Sequence, residues 1–554
     1  MAYNTAAGLS GLLPSGTRHM ENDQGSGSGQ VVLRNIEACL QLCRMVRTSL
    51  GPQGRCKLVV NHLGKLIVTS DCASMVKEIA IEHPAAQLLA AACQKQEEEC
   101  GDATNFVLAF GGELLFCTAK LIGKMTWTPG PEILQGYQTA LRLCRDELLP
   151  ALQTAKLDVA TAMGKDDDNK DMLRLLHPVL ASKQYGSHTT LAPLVAQACG
   201  IVSVRNASTN AITKIPVQAV RTVKILGAGV NQSQLVSGFV AQTGVITVSK
   251  SAKDCKVVVL ACGFEASSTE AKGTVLMKTA DDLLNYNTTE ETKMHDIVQS
   301  IAATGVQVVV TGGNVSDMAL HCLDRAGLIC VRLGSKWELR RLCQAVGATA
   351  LVRLGPPTPD EIGWAHTVEQ QEIGGKTMTV FTTNESKIAT IVLRASTHTL
   401  LNDLERAVDD GVHAVANAVQ DGRVVYGGGA VEMALSLRLQ QIAAATPGLE
   451  QYALDAFAEA LRIVPRTLAE NAGRDAVTVL ADLQAAHSNV AKDAVCNVGV
   501  NIDSESTETT ATMVDVVDLL STKISALQLA VDAVVTILKI DQIIMSKPAG
   551  GPKP

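Results

Sequence analysis

Four short stretches of the sequence place acidic, basic or hydroxyl side chains at predicted turns, and three of them contain glycine. They are SLGPQGRCK at 49–57, VTSDCAS at 68–74, GDATN at 101–105 and GGGAVE at 427–432. Backbone N–H groups in glycine turns and at helix starts can face phosphate oxygens, and a nearby carboxylate can bind Mg²⁺. Residues of these types in this pattern suit the binding of a phosphate group together with a magnesium ion.

Each stretch also has a simpler structural explanation, which is favoured when the stretch is taken alone. The first is a glycine–proline turn, and Asp71 in the second can cap a helix that begins near Ala73. In the third, Asp102 is the candidate Mg²⁺ ligand and Thr104 and Asn105 are candidate phosphate contacts, but a helix cap would use the same residue types. Only the joint occurrence of several such junctions favours a nucleotide site.

The segment LLNDLERAVDDGVHAVANAVQ predicts a long amphipathic helix over 400–420. Its apolar face comprises Leu404, Val408, Val412, Val415 and Val419, and its polar face comprises Asp403, Arg406, Asp410, His413 and Asn417. Asp410 could act as a general base for water. Helix geometry alone favours the alternative, a carboxylate that is merely solvated.

The elements that must position these residues follow the order helical, α/β, helical. Apolar spacing predicts helices over 31–48 and 83–100, separated by a hairpin around 62–65. After about residue 220, short β-rich runs end in glycine, and 306–333 is typical of a βαβ unit. Long helices return after Leu400. This order predicts a middle α/β domain inserted into a helical one, whose two halves pack together.

Composition excludes several classes of protein. The length of 554 residues predicts about three domains, and 47% hydrophobic with 3% aromatic residues indicates a core of aliphatic helices. A net charge of −7 argues against a nucleic-acid binder. The N-terminus is not typical of a signal peptide, and no run of about 18 uninterrupted apolar residues predicts a membrane span.

The spacing of the cysteines and the absence of several enzyme motifs argue against a zinc site and against several known classes of enzyme. The 15 cysteines contain no CxxC pair, which argues against zinc and predicts buried free thiols in a reducing compartment. Walker A, protein-kinase, G-x-S-x-G and HExxH motifs are absent. We therefore expect a soluble intracellular protein, and a nucleotide site in it would not belong to any of these motif classes.

Four motifs, spread along nearly the whole chain, resemble those of the group II chaperonins. LGPQGRCK resembles LGPxGxxK, TSDCASMVKEIAIEHPAAQLL resembles TNDGATILKEIxVxHPAAKLL, GDATNFV resembles GDGT[TN]xV, and YGGGAVEMAL resembles PGGGAxExxL. The resemblance implies a multidomain α plus α/β architecture. It has a mainly helical equatorial ATP-binding domain, a hinge-like intermediate domain and an α/β apical domain with a helical lid.

The resemblance also implies domain limits and a function. The equatorial halves would be 1–152 and 423–554, the intermediate segments 153–220 and 387–422, and the apical domain 221–386, with its lid around 264–291. Family members are cytoplasmic ATPases whose paralogous subunits form a hetero-oligomeric double ring. ATP hydrolysis drives lid closure over unfolded clients such as cytoskeletal proteins. The alternatives are a mainly structural ring subunit with weakened turnover and an unrelated α/β phosphotransferase.

The resemblance implies that the protein uses ATP and Mg²⁺ as cofactors. Matching the motifs residue by residue also implies a role for individual side chains. By resemblance, Asp102 is the metal ligand, Asp410 positions the attacking water, Asp71 is a second carboxylate, and Lys183 approaches the γ-phosphate. The expected nucleotide contacts are Leu50, Gly51, Ala103, Thr104, Asn105, Phe106, Ser182, Lys183, Gly428, Gly429, Asp518 and Lys523.

Two residues depart from the family pattern. Cys72 stands where most members have glycine, and Ala103 replaces the glycine that follows the metal ligand. If that position needs φ > 0, alanine costs about 1 kcal/mol. We therefore hypothesise that the chain binds ATP·Mg²⁺ more weakly, or turns it over more slowly, than its ring neighbours.

Overall fold

The structure is a computed structural model. It describes residues 28–61, 63–125, 131–154, 156–157, 170–205, 212–265, 279–280, 286–383, 387–489, 495–503 and 508–544. Most of the predicted lid, 266–278 and 281–285, lies outside the described residues.

The N-terminal part forms helices around one hairpin, as predicted. Its elements are α1 (Ser28–Arg47), β1 (Lys57–Val60), β2 (Leu66–Thr69), α2 (Cys72–Glu78), α3 (Pro84–Cys100), α4 (Thr104–Met125), α5 (Pro131–Leu143), a π-helical continuation (Cys144–Leu148) and α6 (Leu149–Ala151). Pro84 begins α3, where its missing N–H leaves no bond unmade. The hairpin is antiparallel, with Val60 opposite Leu66.

The middle part contains a large mixed sheet. Its elements are α7 (Lys170–Lys183), α8 (His188–Val202), β3 (Val204–Arg205), β4 (Ile212–Lys214), β5 (Val220–Leu226), β6 (Gln234–Ala241), β7 (Ser251–Leu260), α9 (Tyr286–Ala303), β8 (Val308–Thr311), α10 (Asp317–Arg325), β9 (Ile329–Arg332), α11 (Lys336–Val346), β10 (Ala350–Leu351), β11 (Gly363–Ile373), β12 (Lys376–Thr382) and β13 (Ala389–Ala395). The strand order is β5-β13-β6-β12-β11-β7-β8-β9, with β10 also paired to β7. Strands β8 and β9 are parallel and joined through α10, which confirms the predicted βαβ unit.

Helices return in the last part of the chain. The elements are α12 (His398–Gln420), β14 (Val424–Tyr426), α13 (Ala430–Ala445), α14 (Glu450–Leu461), α15 (Ile463–Asn471), α16 (Ala476–Ser488), β15 (Val498–Val500), β16 (Thr510–Thr512), β17 (Val517–Leu519) and α17 (Leu520–Leu538). Strand β14 pairs antiparallel with β17 and so joins the start of this part to its end.

The buried side chains show how the two chain ends meet. One core cluster combines helices α1 to α6 with α13, α14 and α17, and we call this unit the helical body (32–152 and 425–538). A second cluster combines α7, α8 and α12 with β13 and β17, and we call those three helices the hinge-side helices. Further clusters cover the large sheet. The predicted domain limits stay predictions, because core clusters do not fix a boundary to one residue.

Two helices are long and apolar enough to cross a membrane by composition alone. The windows are Thr104–Ile122 in α4 and Leu520–Leu538 in α17, and the protein itself buries 67% and 50% of them. Both helices belong to the core of the helical body. The core helix of a folded domain passes the same test, so these windows are weak evidence for a membrane span.

All 15 cysteines are free, and most of them are buried. Burial raises the pKa of a thiol such as Cys199 to about 12, so it stays protonated and unreactive. The prediction of buried free thiols is confirmed for these buried positions.

Candidate functional site

A cavity of about 840 Å³ lies between the helical body and the hinge-side helices. Its lining includes every residue that the motifs assigned to metal or nucleotide, namely Leu50, Gly51, Asp102, Ala103, Thr104, Asn105, Phe106, Ser182, Lys183, Gly428, Gly429, Asp518 and Lys523. Asp71 and Asp410 are not in the lining but lie behind it, each paired with Lys183. The structure thus brings together residues that are more than 400 positions apart in the sequence.

The first loop of the cavity turns at Gly51, where φ is +84°. A Cβ atom there would lie 2.4 Å from Leu468 Cδ2, and the left-handed φ also favours glycine. Two amides hold the loop: Asn105 Nδ2 donates to the Ser49 carbonyl at 3.1 Å, and Asn471 Nδ2 donates to the Leu50 carbonyl at 2.8 Å. The loop therefore has a fixed backbone shape before any ligand binds.

The second loop connects α3 to α4 through Gly101, Asp102 and Ala103. Gly101 caps α3 at φ +70°, and Ala103 has φ +65°, a left-handed conformation that a Cβ atom disfavours. Gln96 Nε2 donates to the Asp102 carbonyl at 2.9 Å and helps to hold the turn. Ala103 therefore has the positive φ at which an alanine is expected to be strained.

The polar groups of the second loop are only partly satisfied. Asp102 is half-buried, and burial raises its pKa, although Lys183 and the Ala103 N–H act in the opposite direction. Thr104 Oγ1 and Asn105 Oδ1 are buried and have no hydrogen-bond partner among the described residues. Buried polar atoms without partners are costly, so their placement at a cavity suits a ligand that bonds to them.

The glycine turn before α13 forms the opposite edge of the cavity. Gly428 and Gly429 have φ of +63° and +84°. A Cβ atom on Gly428 would lie 2.7 Å from Met513 Sδ, and one on Gly429 would lie 2.9 Å from Pro465 Cβ. Both the positive φ and these contacts favour glycine at the two positions, and the turn brings bare backbone to the cavity wall.

Lys523 is a buried cation in the floor of the cavity. Its Nζ donates to Glu432 Oε1 at 2.6 Å, lies 3.0 Å from Asp518 Oδ2 and is 5.1 Å from the Phe106 ring centroid. Burial would lower the pKa of Lys523, but Asp518 and Glu432 raise it above its ordinary value, so the ammonium stays charged. Glu432 was not predicted as a site residue, although it lies three residues after Gly429 and within the YGGGAVEMAL motif.

The hinge-side helices bring one ammonium between two carboxylates. Lys183, the last residue of α7, donates to Asp71 Oδ1 at 2.7 Å and lies 3.2 Å from Asp410 Oδ2. Asp71 is the N-cap of α2 and also accepts bonds from the Ser74 N–H and hydroxyl. The cap interpretation is thus confirmed for Asp71, and its functional role stays a prediction.

The two carboxylates have opposite pKa shifts. Burial would raise the pKa of Asp71, but Lys183 and the bonds from Ser74 hold it well below its ordinary value. For Asp410, burial dominates over the attraction of Lys183 and raises the pKa well above its ordinary value. Two carboxylates whose environments push their pKa values apart are suited to different tasks.

The preference for a solvated Asp410 is wrong. Asp410 is 3% exposed, because this part of the polar face of α12 packs against the helical body. Helix periodicity identifies the face, but it cannot say what lies opposite.

Sequence reasoning missed a basic edge of the cavity on α7. Lys170, Arg174 and His177 line the same cavity as Lys183, and Arg174 Nε donates to the Val514 carbonyl at 3.0 Å. Their spacing of four and three residues places them on one helix face, and this signal was available in the sequence.

No described group of three His, Cys, Asp or Glu side chains forms a metal-ligand cluster. A cation at Asp102 would therefore need most of its ligands from water or from phosphate oxygens, which is how Mg²⁺ commonly binds with nucleotides.

Sequence comparison finds relatives over almost the whole chain. The model of the TCP-1/cpn60 chaperonin family matches residues 42–548. T-complex protein 1 subunit theta of Bos taurus is 42% identical over 553 residues, which cover 99% of this chain and 96% of the relative. The probable theta subunit of Schizosaccharomyces pombe is 42% identical over 95% of this chain and 94% of its own length. The theta subunit of Dictyostelium discoideum is 39% identical over 99% and 98%.

Proposed function

The chain belongs to the TCP-1/cpn60 chaperonin family, and on that premise we propose that it is an ATP-hydrolysing subunit of a protein-folding double ring. Family membership confirms the chaperonin resemblance and the multidomain α plus α/β architecture expected from the motifs. One observation carries the rest of the proposal: a single cavity collects the metal, nucleotide and lysine residues from both chain ends and from α7.

The residues of the cavity fit ATP with Mg²⁺. The turns at Gly51 and Gly428 bring backbone close, and Thr104 and Asn105 offer unpaired buried oxygens at a helix start. Asp102 would hold the Mg²⁺ ion, which neutralises phosphate charge when bound. Lys523 is held charged at the floor and adds positive potential.

Asp71, Lys183 and Asp410 divide the work of hydrolysis. Asp71 stays ionised and orients Lys183, whose ammonium faces the cavity as a charge partner for phosphate. Asp410 Oδ2 faces Lys183 Nζ at 3.2 Å and has no other hydrogen-bonding partner among the described residues. Because its pKa is raised, Asp410 is the more basic carboxylate, and it suits acceptance of a proton from an attacking water. Hydrolysis would then depend on α12 being docked against the helical body.

The relatives support the remaining parts of the proposal. Their name, T-complex protein 1 subunit theta, describes one subunit of a complex. We expect paralogous chaperonin subunits as partners, a hetero-oligomeric ring in the cytoplasm, and lid closure over unfolded clients such as cytoskeletal proteins. Direct nucleic-acid or membrane binding is not expected.

Sizing and photolabelling of the native assembly test this function. The tagged full chain is purified from its own cells, sized, and labelled with 8-azido-ATP at graded nucleotide and Mg²⁺. We expect a particle many times larger than the 58.3 kDa chain and saturable, Mg²⁺-dependent labelling of this subunit. A monomer would favour the phosphotransferase, and an unlabelled chain in a large ring would exclude the ATPase role.

A mainly structural subunit with weakened turnover is a second candidate, favoured by the left-handed Ala103. It predicts a large particle in which this chain is labelled only at higher nucleotide concentration than its neighbours. Equal labelling of all subunits at low nucleotide would exclude weakened binding.

A further inference from the structure

Helix α12 reaches the metal-binding loop through Asn417. Asn417 Nδ2 donates a hydrogen bond to the carbonyl of Cys100 at 3.0 Å. Cys100 is the last residue of α3, and the final carbonyls of a helix have no partner within it. A side chain 317 positions away thus completes the end of α3, two residues before Asp102.

His413, one turn before Asn417, packs against the next residue of the same loop. A Cβ atom on Gly101 would lie 2.5 Å from His413 Cβ, so α12 approaches closely enough that only glycine fits. The left-handed φ of Gly101 at +70° has the same requirement. Asn417 and His413 therefore fix two consecutive residues, Cys100 and Gly101.

The same face of α12 places Asp410 beside Lys183, behind the cavity lining. Arg406, Asp410, His413 and Asn417 are spaced by four, three and four residues, which places them in one row along the helix. At the other end of the row, Arg406 Nη1 donates to Thr69 Oγ1 at 3.0 Å, and that oxygen also accepts the N–H of Asp71 at 3.0 Å. When α12 lies against the helical body, it therefore positions Asp410. The same helix also contacts the residues just before Asp71 and Asp102.

We propose that Asn417, with His413 against Gly101, is a positioning contact that couples docking of α12 to the shape of the Mg²⁺-binding loop. The inference rests on the proposed nucleotide site. It adds that the docking of α12 and the shape of the loop that carries Asp102 influence each other. Coupling of this kind is reciprocal: docking favours cation binding at Asp102, and cation binding favours docking. Asn417 is a positioning residue, because it acts on Asp102 through the backbone.

The experiment compares Asn417 variants with a matched amide elsewhere in the site. Asn417→Ala and Asn417→Leu remove the donor, the second while keeping the side-chain size, and Asn417→Gln retains an amide donor. Asn471→Ala is the control, because Asn471 makes the corresponding bond to the Leu50 carbonyl from within the helical body. Each full chain is studied in its purified assembly.

Two quantities are measured: the Mg²⁺ concentration for half-maximal 8-azido-ATP labelling of this chain, and tryptic protection of α12. We expect Asn417→Ala and Asn417→Leu to raise that concentration about five-fold, the factor that corresponds to one net hydrogen bond. Both should expose α12 to trypsin, whereas Asn417→Gln should stay nearer to wild type. Asn471→Ala should weaken labelling with α12 still protected.

The outcomes separate this inference from the proposed function. Wild-type labelling together with unchanged behaviour of both donor-free variants would overturn the coupling and leave the ATP site intact. A shift in labelling with full protection of α12 would also overturn it, since Asn417 would then shape the loop without reporting docking. Absence of wild-type labelling would remove the proposed site and the inference together.

Discussion

The helical body and the hinge-side helices face the same cavity but hold their functional groups in different ways. On the body side, Gly51, Gly428 and Gly429 have positive φ and lie close to neighbouring side chains, so a Cβ atom is disfavoured at each. On the hinge side, Lys183 and Asp410 are placed by ion pairs and by the docking of α12. One wall is a fixed backbone shape, and the other is an arrangement of side chains.

This difference separates binding from turnover. The glycine turns of the body keep their backbone shape without help from α12, whereas Asp410 contributes only in the docked arrangement. Changes in the body should therefore alter affinity and a change at Asp410 should alter the rate of hydrolysis, while Asn417, which contacts the Cys100 carbonyl, links the two sides. Each of the following predictions tests one side of that comparison.

The largest effect is expected on the hinge side, from Asp410→Ala. Loss of a general base costs about 10²–10⁴-fold in rate, so phosphate release assigned to this subunit should fall by that factor. Labelling by 8-azido-ATP should change little, because Asp410 does not line the cavity.

Asp409→Ala is the matched control for this change, because Asp409 is the adjacent carboxylate and is exposed. It should hydrolyse ATP at nearly the wild-type rate. Unchanged client folding and phosphate release in Asp410→Ala would instead favour the mainly structural subunit.

On the body side, Asp102→Ala should act on metal binding. Removal of the only carboxylate in its loop should raise the Mg²⁺ requirement for labelling by at least about 10–100-fold, the range for perturbed metal sites. Glu99→Ala, three residues earlier and exposed, is the control and should label normally. A Mg²⁺ requirement that is unchanged in Asp102→Ala would place the metal elsewhere.

The sequence predicted the two walls unequally well. Local patterns were sufficient for the hairpin, the helices and the βαβ unit. The residues that the motifs assigned to metal and nucleotide all line the cavity, but Lys170, Arg174 and His177 were missed. Neither could reveal that Asp410 is buried, because a helix pattern describes one face and not its partner. The Asn417 bond to Cys100 joins positions 317 apart, and no local rule pairs them.

Docking of α12 should also depend on pH through Asp403. Burial raises the pKa of Asp403 to about 6, although Thr69 and Arg406 lower it in part, and its side chain is 11% exposed. The native state therefore binds a proton more tightly than the unfolded chain, so this group reduces stability as pH rises from about 4 through 6. The loss is at most about 3 kcal/mol.

Asp403→Asn removes this titration. Between pH 5 and pH 8, the thermal midpoint of the variant assembly should fall less than that of wild type. Glu98→Gln, with a side chain that is 71% exposed, should follow the wild-type curve. Parallel curves for Asp403→Asn and wild type would show that Asp403 is not a buried acid of the docked state.

The smallest change tests strain within the body. Ala103 at φ +65° should cost about 1 kcal/mol relative to glycine, so Ala103→Gly should stabilise the loop and lower the nucleotide concentration for half labelling about five-fold. Ala228→Gly separates the two effects, because Ala228 has φ +67° but does not line the cavity. It should raise the thermal midpoint and leave labelling unchanged. If Ala103→Gly raised the thermal midpoint without improving labelling, the methyl group would lower the stability of the fold but not the affinity for nucleotide. Weak nucleotide binding would then need another cause.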